Sequence, residues 1–228
     1  VVAGKFYSGN KAELQRNLKN FFTLARPIEK NGEPIALIVP HAGYVFSGEV
    51  AAWGFKQLDK NKEFENIFVI GSSHRAYFEG ASIYNKGNYV TPLGEVKVNI
   101  ELANKLINEY DVFDYQPQAH NAEHSLEVEL PFLQYHLKKD FRIVPIVLGT
   151  QSKAKCEKIA KALQPFFNTN NLFVISTDFS HYPKYSDAIE IDKQTMQAII
   201  SKKPENLIHS INENKKKDIP NLATSLCG

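Results

Sequence analysis

Apolar residues along the chain follow two patterns. In the first, every position of a short run is apolar: Ile35-Ala36-Leu37-Ile38-Val39, Ile67-Phe68-Val69-Ile70 and Leu172-Phe173-Val174-Ile175. Short β-branched runs without alternation predict strands covered on both faces. A fourth run, 143–148, contains Pro145. Proline has no N–H to give to a ladder, so this run predicts an edge strand or a bulge. In the second pattern apolar residues recur at helical spacing, as with Leu14, Leu18, Phe21 and Phe22. It predicts helices over residues 11–25, 47–58, 100–110, 126–139, 153–167 and 188–201. Residues 81–98 break the rhythm. Tyr84, Tyr89, Val90, Val96 and Val98 are interrupted by Gly87-Asn88 and Pro92-Leu93-Gly94, which predicts short strands or a hairpin. Strands alternating with helices predict an α/β fold, with a mainly parallel or mixed sheet flanked by helices.

Composition narrows the class. The chain has 228 residues, 27 Lys plus Arg and 25 Asp plus Glu, for a formal net charge of +2. That balance argues against a nucleic-acid partner, which calls for a basic excess or stripe. The one dense basic run, Lys215-Lys216-Lys217, reads as a solvated loop. At 43% hydrophobic residues the chain is neither disordered nor fibrous, and its length suits one domain over 1–228. No apolar run approaches the roughly 20 residues that span a bilayer, and the first residues, Val1 to Tyr7, do not read as a signal peptide. The two cysteines, Cys156 and Cys227, allow at most one disulfide, so a reducing cytoplasm is the expected setting and no membrane partner is expected.

Candidate chemistry collects where the apolar runs end. Val39 is followed by Pro40-His41-Ala42-Gly43-Tyr44, Ile70 by Gly71-Ser72-Ser73-His74, and Ile175 by Ser176-Thr177-Asp178-Phe179-Ser180-His181. Open parallel sheets bind ligands beyond the carboxyl ends of their strands. Three strands delivering His41, His74 and His181 to one edge point to a shared site. Imidazoles that converge suit zinc, copper or iron, and three protein ligands with an open position is the catalytic arrangement. Asp178 and His181 share a loop and read either as further ligands or as an acid/base pair. A second cluster, Glu123-His124-Ser125-Leu126-Glu127, opens a predicted helix. Its acids read as opposing the helix dipole, or else His124 and Glu127 support the strand-end site, with Tyr44 as a further supporting residue. His120, His136 and His209 read as surface or packing residues, and Cys156, in a Lys-rich helix, as a bystander. Gly43 and Gly48 lack the spacing of a phosphate-binding loop, and no nucleophile elbow of a serine hydrolase is present.

Taken together, these motifs resemble the Memo (mediator of cell motility) family and its bacterial and archaeal relatives, the B component of the AmmeMemoRadiSam set. The matching pieces are Ala3-Gly4-Lys5-Phe6-Tyr7, Val39-Pro40-His41-Ala42-Gly43-Tyr44, Gly71-Ser72-Ser73-His74, Thr91-Pro92-Leu93-Gly94, Glu123-His124-Ser125-Leu126-Glu127, Ser176-Thr177-Asp178-Phe179-Ser180-His181 and Cys227-Gly228. The resemblance implies a class III extradiol dioxygenase-like fold with a pocket at the strand ends. It also implies metal ligands at His41, His74 and Cys227, with His181 as base and Asp178 beside it. A thiolate is softer than the carboxylate of a true extradiol dioxygenase and shifts preference towards copper or zinc, with iron retained. By the same resemblance the family continues past the Cys-Gly pair, so a C-terminal segment completing the sheet is expected. Three functions are therefore expected to compete: a metal-dependent oxidoreductase using copper or iron, a binding protein holding a small molecule or peptide in the same pocket, and a zinc hydrolase.

Overall fold

The three uninterrupted apolar runs become neighbouring parallel strands in a computed structural model that describes residues 1–26, 32–149 and 152–227. The chain divides into two compact units, Val1–Ser176 and Thr177–Gly228. In the first unit the order begins α1 (Lys11–Leu24), β1 (Ala36–Val39), α2 (Tyr44–Phe55), β2 (Asn66–Ser72) and β3 (Ala81–Ile83). It continues β4 (Tyr89–Thr91), β5 (Gly94–Val98), α3 (Ile100–Glu109), β6 (Phe113–Asp114) and α4 (Pro117–His120). It closes with α5 (Leu130–His136), β7 (Arg142–Leu148), α6 (Lys153–Leu163) and β8 (Asn171–Ser176). The sheet runs β1-β8-β2-β7-β3-β6, with β5 beside β7 and β4 paired to β5. Strands β1, β8, β2 and β7 are parallel, whereas β3 is antiparallel to β7, so the expected mixed α/β sheet is present. The expected hairpin in 81–98 is β4–β5.

Alternate residues of β2 explain why its run is apolar throughout. Ile67 and Val69 join Leu14, Leu18, Phe22, Phe55 and Phe132 of α1, α2 and α5 in one buried cluster. Phe68 and Ile70 join Ala103, Leu106, Ile159 and Leu163 of α3 and α6 in a second. Both faces of the strand are therefore covered. The edge strand β1 departs from that expectation: Leu37 and Val39 are buried, but Ile38 on the other face is 45% exposed.

Pro145 does not put β7 at an edge or in a bulge. β7 lies inside the sheet, in register with β2 from Ile143 to Leu148. On its other side it is shared by two short strands, β5 opposite Arg142 and Ile143 and β3 opposite Ile146 to Leu148. Pro145 falls at the changeover, where its carbonyl accepts from Tyr84 N–H at 3.0 Å just past the end of β3. In an extended strand a residue's N–H and C=O point to the same side, so the missing donor faces the gap between β5 and β3.

Several helices differ from the periodic reading, and in two of them the reason is local. α2 starts at Tyr44, because Val45 and Phe46 belong to its first turn while facing solvent. The helix expected over 126–139 is a 3₁₀ turn, Glu127–Glu129, followed by α5, whose Pro131 sits in the first turn, where its missing N–H has no partner to lose. In the second unit, α7 (Tyr185–Ile200) packs against α8 (Pro204–Lys216). Among the described residues no helix is long and apolar enough to cross a membrane.

Candidate metal centre

The carboxyl ends of β1, β8 and β2 stand level, since Ser176 is the register partner of both Val39 and Gly71. His41 lies two residues beyond Val39 and His74 three beyond Gly71, so both strands deliver an imidazole to the same edge. The segment before α5 closes over the end of β2. Ser125 Oγ donates to the Ser72 carbonyl at 3.1 Å, and a Cβ added at Gly71 would meet that Oγ at 2.6 Å. Glycine is needed there for the close approach, which brings His124 to the other two rings. Ring centroids are 5.0 Å apart for His41–His74, 5.3 Å for His41–His124 and 4.4 Å for His74–His124. One ring nitrogen of each lies within 4.8 Å of the others. A tetrahedral ion with bonds near 2.1 Å spaces its ligands at about 3.4 Å, so closing onto a metal shortens each separation by no more than about 1.4 Å.

Hydrogen bonding orients two of the rings. Ser176 Oγ donates to the Ser125 carbonyl at 2.5 Å and has Glu129 Oε1 at 3.0 Å. Its single proton is thus committed, and the 2.8 Å contact with His41 Nδ1 is a donation from the ring. His41 therefore carries its lone pair on Nε2. His74 follows the same logic. Its backbone N–H donates to Glu123 Oε2 at 2.7 Å, and its Nδ1 is 2.9 Å from Glu123 Oε1. Burial pushes the Glu123 carboxyl up, but the hydrogen bonds from His74 and Ser125 outweigh it and carry it down to about 2. An ionised carboxylate only accepts, so His74 Nδ1 bears the proton and Nε2 the lone pair. Carboxylate and hydroxyl partners that fix the ring tautomer in this way are what metal-ligating histidines use. His124 is held by its backbone, which donates to Glu123 Oε1 at 2.9 Å, and by stacking on Phe6 with centroids 4.3 Å apart. The donor set and its orientation fit a metal ion.

The acids of the 123–129 segment do not act as simple helix N-terminal charges. Glu123 precedes the 3₁₀ turn and is buried under His74. Glu127, also buried, accepts from Val2 N–H at 3.0 Å and from Tyr7 Oη at 2.8 Å, so it fastens the amino-terminal segment instead of sharing a face with Glu123. Tyr44 Oη donates to the Val128 carbonyl at 2.7 Å. Burial, with the Glu129 charge adding, pushes its hydroxyl up and keeps it a donor. Ser176 and Glu129 were not singled out by the sequence pattern. The one signal was that Ser176 ends an apolar strand run.

Within the C-terminal unit, the segment 223–227 lies along 178–181. His181 N–H donates to the Thr224 carbonyl at 3.1 Å, Ala223 N–H to the His181 carbonyl at 3.1 Å, and Cys227 N–H to the Asp178 carbonyl at 2.9 Å. Thr177 Oγ1 donates to the Cys227 carbonyl at 2.7 Å. His181 Nδ1 is 2.8 Å from the Phe179 carbonyl, which only accepts, so that nitrogen carries the proton. Its Nε2 faces Asp178 Oδ2 at 3.8 Å. Asp178, His181 and Cys227 are thus gathered in one loop pair. The remaining histidines behave as expected where they are packed: His120 contacts Ser82 and Tyr115, and His136 stacks on Phe22. Gly48 lies against the Phe21 ring, a packing role.

A family model described as "Memo-like protein" matches residues 1–228. The chain is 37% identical to a MEMO1 family protein of Thermoplasma volcanium, over 83% of this chain and 69% of that protein. It is 37% identical to one of Thermotoga neapolitana, over 87% and 76%, and 35% identical to one of Thermotoga petrophila, over 100% and 83%.

Proposed function

Because the chain belongs to the Memo-like protein family, with its dioxygenase-like fold, we propose that it is a metal-dependent oxidoreductase whose copper or iron ion is held by His41 and His74. The observation that carries this reading is the group of three imidazoles, His41, His74 and His124, with donor atoms within 4.8 Å of one another. The family resemblance adds the Cys227 thiolate as a ligand, a softer donor that favours copper. Zinc suits the same atoms but brings no redox chemistry. When bound, copper or iron supplies one-electron exchange and Lewis acidity.

The protein's own groups do the rest. Ser176 and Glu123 hold Nδ1–H of His41 and His74, which places the lone pair of each ring on Nε2. We assign proton transfer to His181. With its Nδ1 proton bound to Phe179, Nε2 takes up a proton and the Asp178 carboxylate stabilises the imidazolium that results. The test is oxygen consumption by metal-loaded protein with catechols and thiols as reductants. Uptake should require the metal, and His181→Ala should slow it about 100-fold while metal content stays the same. Unchanged uptake in that variant removes His181 from the mechanism.

A second reading has its own support. Val45 and Phe46 are 90% and 84% exposed and, with Phe6, line a cavity of about 830 Å³. A surface of this kind suits a non-catalytic protein that binds a peptide or small molecule. Fully loaded protein that consumes no oxygen with any reductant would favour it.

A further inference from the structure

The exposed edge of His74 opens into a second cavity, of about 710 Å³, formed by the loop after β2 and the start of α6. Its lining is uneven in charge. Among the described residues that line it, Arg75 is the one side chain of fixed charge and none is a carboxylate. The guanidinium is exposed and makes no hydrogen bond or ion pair with a described residue. Gly149 and Ser152 complete the lining, and beyond Ser152 the first turn of α6 carries Lys153 and Lys155, which pair with Glu157 at 3.9 Å and Glu79 at 3.4 Å. Glu123, the buried carboxylate that contacts His74, has its oxygens taken up by His74 and by the backbone N–H groups of His124 and Ser125. The guanidinium of Arg75 is therefore the charge that this cavity presents beside the cluster of metal-type ligands.

The loop itself is braced, because Ser73 Oγ accepts from Ala76 N–H at 3.0 Å, which holds Arg75 within a turn directly after His74. The guanidinium presents a rigid fork that matches a carboxylate through two parallel hydrogen bonds, and Arg is the residue suited to that task. Tyr77, 95% exposed on the same cavity, adds a flat apolar face. We propose that Arg75 is the specificity-determining residue of the site and that it selects an organic carboxylate with a flat body, held in the 710 Å³ cavity beside His74. This inference rests on the metal-centre reading for the chemistry that follows binding, but recognition by Arg75 is measurable without it.

The experiment compares wild type, Arg75→Gln and Arg75→Lys for binding of three probes: benzoate, its neutral isostere benzamide, and inorganic phosphate. Affinity is read by calorimetry, and metal content is measured on the same samples. Wild type should bind benzoate at least about tenfold more tightly than benzamide. That preference should vanish in Arg75→Gln and be partly kept in Arg75→Lys, which has the charge without the fork. Metal content should be equal in all three. Benzoate and benzamide binding equally to wild type, or an undiminished preference in Arg75→Gln, overturns the proposal. Phosphate captured through Arg75 while benzoate is ignored overturns the assignment to carboxylates. Protein that never holds metal yet shows the Arg75-dependent preference removes the metal centre and leaves the carboxylate assignment standing.

Discussion

Glu123 shows how one buried carboxylate can organise a site. It accepts from the ring and backbone of His74 and from the backbone of His124 and Ser125, so two of the three imidazole-bearing residues are positioned by a single side chain. Glu123→Gln keeps the shape but loses the charge that holds the His74 Nδ1 proton. Metal affinity should fall about 10- to 100-fold, the usual effect of removing such a partner, and chelator competition measures it. Equal affinity would show that the carboxylate does not orient the ligand. At this scale the sequence was informative about His41 and His74, because a histidine directly after an unbroken apolar run has few places to go. It was not informative about Glu123. An acid before a helical pattern has the same appearance whether it faces water or an imidazole, and only the folding of 123–126 over β2 distinguishes the two. Ser176 was equally hidden, since its role depends on both neighbouring strands ending level with it.

Elements explain where the periodic reading held and where it slipped. The run in β2 was legible because helices cover both its faces, whereas Pro145 misled because an internal strand tolerates proline where its partner strands change over. Gly71 carries no pattern at all, yet its missing side chain lets Ser125 close on β2. The docking of α4 on β3 makes a prediction of its own. His120 Nε2 lies 2.9 Å from Ser82 Oγ, which also accepts from Gln116 N–H at 2.8 Å. Burial pushes the His120 imidazole down from 6.5 to about 4. The folded state thus refuses a proton that the unfolded chain accepts below about 6.5. This contribution to stability is complete above that pH and is lost as pH falls towards about 4. Urea denaturation of wild type should show about 2 kcal/mol of such loss between pH 7.5 and 4.5 that His120→Gln does not share. Parallel profiles for the two proteins would mean that His120 is not held neutral.

For the whole molecule, a net charge of +2 carried little about function, because the groups that matter are buried or sit at strand ends. The family match spans the chain, and it agrees with the resemblance drawn from the short motifs. What the motifs did not reveal is that His124 stands with His41 and His74 as a third imidazole. The resemblance instead assigns the third donor to Cys227, and the two assignments separate cleanly by mutation. The most direct measurement is the number of copper, iron and zinc ions bound per chain, by elemental analysis of protein purified without oxygen. It should be repeated for His41→Ala, His74→Ala, His124→Ala and Cys227→Ser, each checked for folding by circular dichroism. The account predicts about one redox-active ion per wild-type chain, lost in His41→Ala and His74→Ala and reduced in whichever of His124→Ala and Cys227→Ser removes the third donor. Wild-type protein that holds no metal after loading, or folded His41→Ala and His74→Ala variants that keep their full complement, would contradict it.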